Sequence, residues 1–173
     1  MKRITFLLVA VAILAGSIAY MVPVFGQADK NSAPIYLCKM PSGYRDWKLI
    51  SVAHEEGNLN SFAAMLGNDV AIKAYREGKL PYPDGTIIAA LHYGHTPSAE
   101  NNKVFGRVQS YVPGPPTNIQ FEIKDSKKYA ATGGWGFGSF TPDGKPGNDA
   151  QMKTCAPCHA KAAHDFVFTR YAP

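Results

Sequence analysis

The sequence predicts an α+β fold, mainly antiparallel β-sheet with a few short helices. Three observations carry this. One seven-residue stretch, "NIQFEIK", alternates cleanly, with Ile119, Phe121 and Ile123 on one face and Gln120, Glu122 and Lys124 on the other. Several short runs rich in β-branched and aromatic residues are separated by Pro, Gly and Asp. Full helix start and stop signals are scarce.

In chain order, "WKLISVA" from Trp47 reads as a strand, and "LNSFAAML" from Leu59 is expected to form a short helix. "NDVAIKAYREGK" is the best-signalled helix: Asn68 or Asp69 supplies the N-cap, Lys73 and Arg76 lie toward its end where cations suit the dipole, and Gly78 stops it. The turn Pro83-Asp84-Gly85 precedes the strand "TIIAALHY" from Thr86. "FGRVQSYV" from Phe105 is the next strand candidate, bounded by Pro113-Gly114-Pro115-Pro116. "NIQFEIK" follows, and Asp125 is placed to cap a turn through Tyr129. "GWGFGSF" from Gly134 is the last strand, closed by Pro142-Asp143-Gly144. The glycines of "GGWGFG" make no phosphate loop, because no helix start follows them.

The chain begins "MKRITFLLVAVAILAGSIAYMVPVFGQADKN": two cations, a long apolar run and a small-residue exit at Gly26-Gln27-Ala28. This pattern is a secretory signal over residues 1–28; uncut, the run from Ile4 to Phe25 is long enough to serve as an inner-membrane anchor. Residues 29–173 then form a single domain of about 145 residues, large enough for its own core. Either way the domain is expected on the periplasmic side. The formal charge of +5 includes Lys2 and Arg3, no basic run interleaves with aromatics, and so no nucleic-acid partner is indicated. Cys38 stands alone, readable as a small buried residue or as half of an intersubunit disulfide.

Near the C-terminus stands "TCAPCHA", residues 154–160. With three cysteines and five histidines in the chain, a chance C-x-x-C-H has odds of about one in a thousand. Two thiols three positions apart can each bond one vinyl group of a haem, and the adjacent imidazole can reach the iron. Cys155 and Cys158 are therefore the expected thioether residues of a haem c near the C-terminus, and His159 the axial iron ligand. A thioredoxin-like C-x-x-C would need an early strand-to-helix context, and a zinc knuckle a second ligand pair; neither is present in the sequence. Because the motif comes last, the chain upstream must build nearly the whole pocket.

"YRDWKLISVAHEE", "NDVAIKAYREGKLPYPDGTIIAAL", "IKDSKKYAATGGWGF" and "TCAPCHAKAAHDFVFTRYAP" together resemble the cytochrome P-460 family, which includes cytochromes c′-beta, from about Pro41 to Pro173. The resemblance implies a β-rich domain, often a homodimer, with a five-coordinate c haem whose other side is open to nitric oxide or hydroxylamine. In its hydroxylamine-oxidising members a lysine is joined to the haem ring on the strand after the D-G-T turn, and Ala90 stands at that place here. Lys73 and Lys79 could replace it only from a helix or loop.

If position 90 faces the haem, alternation turns Ile88 and His92 the same way. His92 is thus the candidate for donating a hydrogen bond to a ligand, relaying a proton or binding iron; a histidine without haem contact is the competing reading. Arg170 in "FTRY" and Arg45 in "YRDW" are candidate propionate contacts, and Trp135, Phe137 and Phe140 candidate walls. His95 is expected in a loop, His54 and His164 in solvent.

The expected function is a periplasmic c-type haem protein with an open iron position for nitric oxide or a related small nitrogen ligand, exchanging electrons with a periplasmic partner. Two alternatives stand beside it: an electron-transfer cytochrome whose sixth position is closed by His92 or Met65, and a hydroxylamine oxidase.

Overall fold

The computed structural model describes residues 36–172; the segment 1–28, read above as a signal, lies outside the described residues. Five strands form one antiparallel sheet in sequence order: β1 (Lys48–Glu55), β2 (Ser61–Gly67), β3 (Ile87–Pro97), β4 (Tyr111–Lys124) and β5 (Trp135–Phe140). Helix α1 (Asp69–Glu77) joins β2 to β3, α2 (Ala99–Phe105) joins β3 to β4, and α3 (Asp149–His159) follows β5. The α+β expectation holds.

Local signals explain the elements that were legible. Asn68 caps α1, its side chain accepting the Ala71 N–H at 2.9 Å, and Gly78 ends the helix at φ 61°, a left-handed conformation that costs a residue with a Cβ more. The carboxylate of Asp125 accepts the N–H groups of Lys127 and Lys128, closing the expected turn through Tyr129.

Four expectations are corrected. "LNSFAAML" is not a helix: Ser61–Gly67 is β2, hydrogen-bonded between β1 and β3, so that Phe62, Ala64 and Leu66 face one side and Ala63 and Met65 the other. Its small and apolar residues satisfy a period of 2 as well as 3.6, and sheet pairing decides. "FGRVQSYV" is split between the end of α2 and the start of β4. The Pro113–Pro116 run is not a boundary but lies inside β4, opposite Tyr93 and His95, where the register slips because proline donates no ladder bond. His95 accordingly sits in β3 rather than a loop, its ring stacked on His54 at 4.3 Å and on Tyr111 at 4.1 Å.

Both sheet faces are covered. On one, Ala89, Leu91, Ile119, Phe121 and Phe140 pack with Leu37, and with Met40, Tyr44 and Trp47 of the entering chain. On the other, Ile88, Trp135 and Phe137 pack with Ala71, Ile72 and Ala74 of α1, with Tyr82, and with Val167 after α3. The chain beyond α3 crosses this second face and reaches β1, where Ala172 N–H donates to Ile50 O at 2.9 Å. Every residue of β5 is buried, as a strand covered on both faces requires. Cys38 is exposed, which removes its reading as a small buried residue.

Candidate functional site

The antiparallel register sets side chains of the second face in rows. Ile88, Glu122 and Phe137 stand side by side on β3, β4 and β5; Ala90, Gln120 and Ser139 form the next row, and His92 and Asn118 the one after. Helix α3 lies over the first two rows. Asn148 caps it by accepting the Gln151 N–H at 2.9 Å, and Met152, 2% exposed, anchors it to β5, its sulfur accepting the Ser139 N–H at 3.3 Å. No helix is expected here from the sequence analysis, and Pro157 stands inside it.

On α3, residues three and four apart share a face. Cys155, Cys158 and His159 therefore point together into a cleft of about 240 Å³, lined also by Ile88, Ala90, Gln120, Glu122, Phe137 and Thr154. The His159 ring lies between Phe137 at 4.5 Å and Phe168 at 5.1 Å. Its Nδ1 is 2.9 Å from the Phe166 carbonyl, which can only accept, so Nδ1 carries the proton and Nε2 keeps a free lone pair. Burial lowers the pKa of His159, opposed in part by the Phe166 carbonyl. A neutral, oriented imidazole is the form that binds a metal.

Glu122 is the cleft residue that the sequence did not single out. Burial pushes its pKa from 4.5 up to about 8, and its Oε2 is buried without a hydrogen-bond partner. No local sequence signal marked it: alternation sets it on the face opposite Phe121, and only the register beside Ile88 and the cover of α3 show that this face is dry.

The remaining candidates divide. His92 is on the cleft face, 8% exposed, but lines a neighbouring polar cleft with Glu55, Ser61 and Asn118 that meets the first at Gln120. Its Nδ1 is 3.6 Å from Glu55 Oε2, and its Nε2 is buried without a partner. Met65 lines a third cleft, along with Arg170 and β1 residues. Arg45 lies on the opposite face, where its guanidinium stacks on Tyr44 at 5.3 Å, so the structure does not bring it to the cleft. Of the three aromatic candidates, Phe137 lines the cleft, Phe140 belongs to the opposite core, and Trp135 is fully buried beside Tyr82. His54 and His164 are exposed, as expected.

Residues 41–169 match the family described as Cytochrome P460. The chain belongs to the cytochrome P460 family. It is accordingly a haem protein. No curated protein matches the chain.

The cleft suits a cytochrome P460 haem on its own chemistry. Ile88, Ala90 and Phe137 give apolar walls, two thiols and an oriented imidazole converge from one helix, and the unpartnered Glu122 oxygen is a polar group waiting for a partner.

Proposed function

We propose that Cys155 and Cys158 carry a covalently attached haem c, that His159 is its axial ligand through Nε2, and that the remaining iron position is open to nitric oxide or a related small nitrogen ligand. When bound, the haem supplies an iron coordination position and a redox couple. The Phe166 carbonyl holds the His159 proton at Nδ1, Phe137 and Phe168 flank the ring, and Ile88 and Phe137 give the cleft apolar walls.

One observation carries the open position. Among the residues lining the cleft, His159 is the sole nitrogen base, and no methionine or lysine joins it. Neither Met65 nor His92 lines the cleft, which weighs against the closed electron-transfer cytochrome. Lys73 pairs with Glu77 on the exposed side of α1, and Lys79 lines a separate pocket, so neither replaces the lysine that Ala90 lacks. The periplasm, reached by way of the N-terminal signal, is the compartment in which this reading places the domain, with a redox partner there. Arg170, exposed on the third cleft beside Met65, is the candidate for a propionate.

A second reading, oxidation of hydroxylamine, has one observation in its favour: a carboxyl group, Glu122, lines the cleft with its Oε2 unpartnered. Steady-state turnover with an artificial electron acceptor decides it.

The test of the main reading is the absorption spectrum of the ferric and ferrous protein from a host that attaches c haem, with extraction in acidified organic solvent beside it. Haem that stays on the chain and a high-spin, five-coordinate spectrum are expected. A low-spin spectrum refutes the open position, and extractable haem refutes the thioethers.

A further inference from the structure

Beyond the cleft, the chain spends an unusual set of buried groups on the segment after α3. Lys124 ends β4 and is 8% exposed at its side chain; Asp165 follows α3 and is 14% exposed. The Lys124 ammonium lies 3.0 Å from both Asp165 carboxylate oxygens and 3.2 Å from the Gly133 carbonyl, and sits over the Trp135 ring at 5.0 Å. An ammonium has three protons, and each has an acceptor here. Asp165 Oδ2 in turn accepts the Tyr82 N–H at 2.8 Å.

What this cluster restrains is a strained turn. Asp165 at φ 49° and Phe166 at φ 69° are consecutive residues in the left-handed region, and neither is glycine. Such a pair persists only where the surroundings hold it. The holding is visible on both sides: the Asp165 carboxylate is pinned by Lys124 and Tyr82, and the Phe166 ring lies over Gly133, in the space that a Cβ there would occupy. Val167, fully buried, closes the turn by donating its N–H to His164 O at 3.0 Å. The product is the orientation of one carbonyl, Phe166 O, toward His159 Nδ1.

We propose that the buried Lys124–Asp165 pair is the positioning device of the His159 imidazole, acting through the Phe166 carbonyl, and that it thereby sets the redox potential of the haem. It rests on the reading of His159 as axial ligand. A hydrogen bond accepted from Nδ1–H makes the imidazole a stronger donor through Nε2, which favours the ferric state and lowers the potential. Without the pair the turn relaxes, the bond lengthens and the potential rises.

The test is potentiometric titration of the haem-loaded protein. Removing Lys124 alone would leave a buried negative charge and shift the potential for that reason, so the variants keep the local charge at zero: Lys124→Met with Asp165→Asn in one chain, and Gly133→Ala in another, which leaves the ion pair intact and displaces the Phe166 ring. Both are expected to raise the midpoint potential, whereas Leu91→Ala, in the opposite core and away from the cleft, lowers the melting temperature and leaves the potential where it was. If the double variant does not load haem, Lys124→Gln with Asp165→Asn, which also removes the ion pair but keeps both groups polar, decides in its place. Potentials equal to the parent's, with lowered melting temperatures, overturn the proposal and leave the pair a structural clamp. His159→Ala separates the two levels: an unchanged spectrum in that variant overturns the ligand reading itself, while a changed one beside unmoved potentials overturns only the positioning role.

Discussion

Glu122 Oε1 lies 3.6 Å from His159 Nδ1, and the two rest as neutral neighbours rather than as an ion pair. Burial raises the carboxyl's pKa and lowers the imidazole's, so desolvation drives each to its uncharged form, and the His159 proton is directed to the Phe166 carbonyl at 2.9 Å.

Stability should therefore depend on pH through Glu122. The folded chain keeps this proton up to about pH 8, while the unfolded chain releases it around the ordinary value of 4.5. Between these values the folded state binds more protons, so its stability falls as pH rises through the window and levels off above it. The loss is on the order of a few kcal/mol. Denaturant titrations of the protein without attached haem across this range should show the slope, and Glu122→Gln should flatten it. A slope that survives the substitution assigns the effect to another group.

His92→Ala should leave the haem spectrum unchanged. Its ring points to the same sheet face as Ala90 but opens into the cleft of Glu55, Ser61 and Asn118, so its removal takes no ligand from the iron. Absorption spectra of parent and variant check this; a low-spin parent turned high-spin by the substitution would make His92 a ligand.

Gly136→Ala should destabilise the fold although it adds a single methyl group. The ring of Tyr129, 4% exposed, fills the space where a Cβ at Gly136 would stand, and β5 is covered on both faces. Overpacking of this kind costs about 1–3 kcal/mol, which thermal or denaturant unfolding measures directly. A smaller side chain at the facing position, Tyr129→Phe, should not relieve it, because the ring itself is the obstacle.

The parts of the fold that were legible are those whose cause is local. Asn68 and Gly78 bound α1 through bonds made within a few residues, and Asp125 closes its turn with its own neighbours' N–H groups. The strand over residues 61–67 was not legible, because "SFAAML" suits either period and only pairing with β1 and β3 settles it. The Pro113–Pro116 run reads locally as a break, yet β4 continues through it as the neighbour of β3, with the ladder interrupted where proline cannot donate.

By itself the sequence determined the chemistry of the motif: two thiols and an imidazole at a spacing that one helical face presents together. It also determined the resemblance that the family match over residues 41–169 bears out. The tertiary structure alone decided what surrounds that chemistry. Alternation in "NIQFEIK" separates two faces but says nothing about which is wet, and α1, α3 and the C-terminal segment cover the face that carries Gln120, Glu122 and Lys124. Burial then turns a glutamate into a proton-holding acid and a lysine into the clamp of a distant loop. Such properties depend on what other segments exclude water from a side chain, and no pattern within a few residues of it contains that information.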